Sequence, residues 1–135
     1  MKSRVFGFLF GTVLFLCIAS CATVPMEPLT PGQVRLLEIR FPDFGVIKAN
    51  LQYIVDIRFE SEGNPEIKRA CFSWTGRATN CFNVTDVRYG SPGSIGVTLR
   101  TPEPGLYSVD TFVIYNREGK TVRSNVINAQ ISVAN

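Results

Sequence analysis

The chain has 135 residues, 14 basic and 11 acidic side chains with a net charge of +3 at pH 7, 45% hydrophobic and 19% charged content, 11 Gly, 8 Pro and 4 Cys. That length holds one ordinary domain rather than two, and the composition is globular: too apolar for a disordered chain and too poor in cysteine for a scaffold held by disulfides alone. The absence of histidine excludes Ser-His-Asp and Cys-His nucleophile systems, histidine acid-base catalysis and the usual histidine metal sites.

At the N-terminus Lys2 and Arg4 precede an apolar run over residues 5–18, VFGFLFGTVLFLCI, which has the layout of an export signal. The run falls short of the roughly 20 apolar residues that span a bilayer, so a permanent transmembrane helix fits it less well. It ends in Ile18-Ala19-Ser20-Cys21, which resembles the lipobox of bacterial lipoproteins: an aliphatic residue, two small residues and the cysteine that is modified. The resemblance implies a signal peptide over residues 1–20, cleavage between Ser20 and Cys21, and a diacylglyceryl thioether on Cys21. An ordinary signal peptide cut at a nearby small residue is the alternative. Cys17 lies inside the apolar run and leaves with it. Two or three acyl chains, each buried CH₂ contributing about 0.8 kcal/mol, hold a protein stably on a bilayer where one chain does so marginally. In such lipoproteins an aspartate after the cysteine signals inner-membrane retention. Ala22 stands there, so the resemblance points to the outer membrane of a bacterial envelope, on its periplasmic or surface face.

Residues 1–20 carry two basic and no acidic side chains, which leaves 12 basic against 11 acidic, or +1, in the remainder. No nucleic-acid footprint survives that balance, and no polybasic membrane patch. Residues 21–33 form the expected lipidated terminus and tether. Pro25, Pro28 and Pro31 recur at every third position, which favours an extended polyproline-like spacer of about 30 Å at about 3 Å per residue.

From residue 34 to 135 the pattern has period two almost throughout and predicts an all-β domain. Leu37, Ile39 and Phe41 alternate with Glu38 and Arg40. Leu51, Tyr53, Val55, Ile57 and Phe59 alternate with a mostly polar row in which Ile54 is the apolar exception. Ile95, Val97 and Leu99 do the same, as do Ile127, Ala129, Ile131 and Val133. Pro42-Asp43, Glu62-Gly63-Asn64-Pro65, Ser91-Pro92-Gly93, Pro102-Glu103-Pro104-Gly105 and Asn116-Arg117-Glu118-Gly119 supply the turns. About seven short strands in such a span predict a two-sheet antiparallel Greek-key sandwich, with a small β-barrel as the alternative. The stretch from Pro104 through Tyr107 and Phe112-Val113-Ile114-Tyr115 to Glu118-Gly119-Lys120 resembles the last hairpin of immunoglobulin-like and fibronectin type III domains. By that resemblance Tyr107 closes the sandwich corner and Trp74 is the core tryptophan of a central strand; either also fits as a plain large core residue.

Cys71 and Cys81 remain in the exported part, where the compartment is commonly oxidising. A turn centred on Gly76 sets Cys71 opposite Cys81 and Ala70 opposite Phe82, which puts Trp74 and Phe82 on one face and both cysteines on the other. A structural disulfide is expected. A redox pair or metal ligands are the alternatives, and the chain supplies no evident further ligands.

Glu60, Glu62 and Glu66 cluster about a turn, where paired-carboxylate chemistry is possible but solvated loop residues are the plainer reading. Asn83-Val84-Thr85 matches a glycosylation sequon and reads as strand. Lys68, Arg69 and Arg77 read as a solvated rim. Phe112 and Ile114 fall on the outward row of their strand, and with Ile54 they form the candidate interaction surface. The function expected is that of a non-enzymatic, cofactor-free and metal-free envelope lipoprotein whose partners are the bilayer, through Cys21, and another envelope protein. Two alternatives are a glycan or small-ligand module using Phe112 or Phe44, and an inhibitor of an envelope-attacking hydrolase that inserts loop 75–80.

Overall fold

A computed structural model describes residues 26–42 and 46–135. Each period-two segment becomes a strand because its apolar row can leave water only against a second sheet. In chain order the strands are β1 (Val34–Arg40), β2 (Ile47–Lys48), β3 (Gln52–Ser61), β4 (Ile67–Trp74), β5 (Asn80–Asn83), β6 (Asp86–Arg88), β7 (Gly93–Arg100), β8 (Gly105–Arg117), β9 (Lys120–Arg123) and β10 (Ile127–Ala134). One sheet has the order β1-β3-β7-β6. The other has the order β2-β10-β8-β4-β5, with β9 also paired to β8. All pairings are antiparallel except that of β2 with β10.

The runs β1-β3-β7-β6 and β10-β8-β4 reproduce the A-B-E-D and G-F-C orders of the immunoglobulin fold, and the two separate sheets set the barrel aside. Val55, Ile57 and Phe59 of β3 and Ile95, Val97 and Leu99 of β7 face Phe72, Trp74, Val109 and Val113 across the sandwich. Each such burial contributes about 1.5–3 kcal/mol. Thr111 sits on this inner row, fully buried, and its hydroxyl has no partner among the described residues. A methyl group in the same place escapes the desolvation cost, so Thr111→Val is expected to raise the unfolding free energy by about 1 kcal/mol in urea titration. A loss of stability would show instead that the hydroxyl is satisfied.

Two expectations need correction. Leu37 does not face the core. A bulge between Leu36 and Glu38 makes it the extra residue and exposes it, so that Val34 and Leu36 point inward before the bulge and Ile39 after it. The cause is a joint to the other sheet: the Asn125 side chain accepts the Leu36 N–H at 2.7 Å and donates to the Leu36 carbonyl at 3.0 Å. The second correction concerns the tether. Residues 27–33 of the expected spacer are fastened to the domain: the Glu27 carbonyl accepts from Arg35 at 2.7 Å, Pro31 O and Thr30 Oγ1 accept from Arg117 at 2.9 and 2.6 Å, and Gln33 O accepts from Glu62 N at 3.0 Å.

Candidate binding surfaces

The β4–β5 hairpin turns on Gly76, whose φ of +74° suits glycine, and the Arg77 N–H donates to the Trp74 carbonyl at 2.9 Å. The resulting register pairs Ala70 with Phe82 and Cys71 with Cys81, and the two cysteines are joined with their Cα atoms 4.0 Å apart. Their cross-strand neighbour on β8 is Phe112, and Cys71 is fully buried although it lies on the outer row. One rung on, the Ser73 and Thr79 hydroxyls are hydrogen-bonded.

On the inner row Trp74 meets the edge of Tyr107 at a centroid distance of 5.4 Å and an interplanar angle of 86°. The Tyr107 hydroxyl donates to the Glu103 carbonyl at 2.8 Å, which is the bond that closes the corner between strands in immunoglobulin-like sandwiches. Thr101, also buried, donates to the Lys48 carbonyl at 2.6 Å and accepts the Leu51 N–H at 3.1 Å. These bonds lock the loops before β3 and before β8 together. Thr101 was not singled out from sequence, because a threonine ending an alternating strand carries no distinguishing pattern.

The candidate interaction residues separate. Phe112 and Ile114 lie on the outer face of the larger sheet and are half-buried, and the Arg123 guanidinium covers the Phe112 ring at 4.7 Å. Ile54 lies on the outer face of the other sheet and is 68% exposed. The three therefore form no single patch, because parity sends them outward from opposite layers. The glutamates also disperse: Glu60 pairs with Arg35 at 2.7 Å, Glu66 accepts from Asn116 at 3.2 Å, and Glu62 is exposed in its turn. Arg77 pairs with Glu103 at 3.1 Å, Arg69 donates to the Cys81 carbonyl at 3.2 Å, and Lys68 is exposed. Cys17, Cys21, the signal segment and Phe44 lie outside the described residues.

Two ends of the sandwich differ in character. At the end where residue 33 enters stand the turns after β3, β6 and β8. There Tyr89 packs edge-on against Phe59 at 5.9 Å and donates to the Pro65 carbonyl. Burial holds its phenol above the ordinary tyrosine pKa, with the Ile67 backbone opposing and the Glu66 carboxylate adding. At the other end stand the 75–79 turn, the loop before β8 and the C-terminus. A groove opens there between β5 and β7, a cavity of about 300 Å³ lined by Trp74, Phe82, Leu99 and Arg100, which adjoins one of about 410 Å³ lined by Phe82, Gly96, Thr98 and Ile54. Trp74 is only 5% exposed, so Phe82 is the aromatic surface that a ligand in this groove would meet.

Among the described residues no group of three or more His, Cys, Asp or Glu stands close enough to hold a metal ion, and no helix is long and apolar enough to cross a membrane. No protein family and no curated protein matches the chain. Among solved structures it is similar to the CARDB domain of the PF1109 protein of Pyrococcus furiosus, determined in complex with di-metal ions. That comparison has a TM-score of 0.47 and 16% sequence identity, and covers 83% of this chain and 98% of that one.

Proposed function

We propose that the protein is a lipid-anchored module of the bacterial envelope, held on the outer membrane through Cys21, that binds another envelope protein and performs no catalysis itself. The observation that carries this reading is the fastening of residues 27–33 to one end of the sandwich by Arg35, Arg117 and Glu62. With Glu27 held, only residues 22–26 separate the domain from Cys21, a reach of at most about 20 Å at about 3.5 Å per residue. The domain then stands close to the bilayer, tethered from the end that lies opposite the 75–79 turn and the loop before β8. A short-leashed sandwich suits a protein that must present one end to a partner, and the dispersed glutamates offer no carboxylate pair for hydrolysis.

The test is made in the source cell. The lipidated protein is crosslinked in intact envelopes, recovered, and analysed by mass spectrometry beside a Cys21→Ser control. A stoichiometric protein partner is expected, absent from the control, which should leave the membrane fraction. Recovery of cell-wall fragments alone, or a turnover activity that survives purification and vanishes on replacing one carboxylate, would overturn the reading.

A further inference from the structure

One edge inside the sandwich is unfilled. β6 pairs with β7 only from Ser94 to Gly96. Before Asp86 the chain has already left that sheet, and the Val84 N–H donates to the Lys68 carbonyl of the other layer. The stretch 97–100 of β7 is therefore paired with β3 on one side and with no strand on the other among the described residues. The Thr101 N–H donates to Leu51 on the β3 side at 2.9 Å. Along an antiparallel strand the direction of these groups alternates, so Leu99 and Val97 also turn towards β3, while Thr98 and Arg100 aim N–H and C=O at the open side.

That open side is the groove. Its two cavities run end to end along β7 and share Phe82, with Leu99 and Trp74 at one end and Gly96 at the other. Arg100 stands on its outer lip with no acidic partner among the described residues. We propose that the groove receives an extended segment of another protein, which adds as a strand beside Thr98 and Arg100 and completes the β1-β3-β7-β6 sheet. Strand addition of this kind takes its affinity from main-chain bonds and its specificity from alternate side chains. Here inward residues meet Phe82 and Leu99 and are apolar, and outward residues lie beside Thr98, Ile54 and Arg100, with an acidic one opposite the arginine. A flexible segment can enter between β5 and β6. The edge of a second folded copy carries its own neighbouring strands and cannot.

The proposal rests on the protein-binding reading and is tested apart from it, by residue-resolved amide exchange on the mature lipidated chain in detergent micelles. In the free chain the Thr98 and Arg100 amides should exchange rapidly while Ser94 and Gly96, paired to β6, are protected. A synthetic peptide alternating valine with threonine and glutamate should slow Thr98 and Arg100 at least tenfold; the same peptide with a central proline should not. Thr98→Pro removes one edge donor and leaves the β3 ladder intact, and it should abolish the protection at Arg100. Arg100→Glu, a surface change that leaves the fold alone, should shift the preference to a lysine-containing peptide. Thr98 and Arg100 already as protected as Gly96, protection appearing along β10 instead, or no protection by either peptide would each overturn the proposal. A crosslinked envelope partner that persists with Thr98→Pro would sink the groove and leave the binding reading standing.

Discussion

Replacing Gly93 with alanine is expected to lower the unfolding free energy by about 2–3 kcal/mol, a substantial part of the roughly 5–15 kcal/mol that holds a domain together. Gly93 opens β7 directly opposite Phe59. A Cβ there would stand 2.6 Å from the Phe59 ring and 2.8 Å from the Arg88 carbonyl. Neither neighbour can yield cheaply: the ring is fully buried and braced edge-on by Tyr89, and the carbonyl belongs to the backbone of β6. Against this overpacking cost stands the smaller conformational gain of removing a glycine from the unfolded chain, about 0.4–1 kcal/mol. The cause can be isolated in a Phe59→Leu background, where the ring contact is gone but the Arg88 contact remains. The Gly93→Ala penalty should shrink there without vanishing, and urea titration of the four proteins measures the coupling. Equal stability of Gly93→Ala and its parent would show that the turn before β7 shifts freely.

Gly93 also shows where sequence reasoning stops. In Ser91-Pro92-Gly93 it reads as punctuation, and a turn does end there, but the residue is confined to glycine by a side chain that lies 34 positions earlier in the chain. Strands β3, β7 and β10 were legible because a bare alternation of apolar and polar residues states which face is buried. β1 was legible only as a strand. Its phase slips at Leu37, and the cause is an asparagine 89 residues away that satisfies both backbone groups of Leu36. The proline spacing before residue 33 suggested an extended spacer, yet the chain turns at residues 31–32, where the Gln33 N–H donates to the Thr30 carbonyl, and the arginines that fasten it, Arg35 and Arg117, act from β1 and the far end of β8. Tyr107 was legible only through its resemblance to the corner tyrosine of immunoglobulin-like domains, with a plain core residue as the alternative; the bond that the structure adds reaches back to Glu103. The groove was not legible at all. It arises from the shortness of β6, and the departure of the chain at Val84 towards the other layer depends on pairing with Lys68, which no local pattern records. The outward row of β8 was readable, yet parity alone could not show that Arg123 would cover Phe112.

Reduction of the Cys71–Cys81 bond is expected to cost roughly 2–3 kcal/mol, the loop-closure value for so short a loop. The bond to Lys68 from Val84 places the even-numbered residues of β5 in the hydrogen-bonded pairs of the ladder, so Cys71 and Cys81 occupy a non-hydrogen-bonded pair, where opposing side chains come closest. β5 is an edge strand of four residues, Asn80–Asn83, and a piece that short has little ladder of its own to hold it. The covalent link therefore keeps Phe82 against Phe72, 6.1 Å between ring centroids, and keeps that wall of the groove in position. Denaturant titrations with and without reductant should differ by this amount for the parent chain and coincide for the Cys71→Ala/Cys81→Ala variant. Identical midpoints for the reduced and oxidised parent would mean that the ladder alone holds β5. If the difference appears, the disulfide holds that wall of the groove, and peptide protection at Thr98 and Arg100 should weaken on reduction in step with the lost stability.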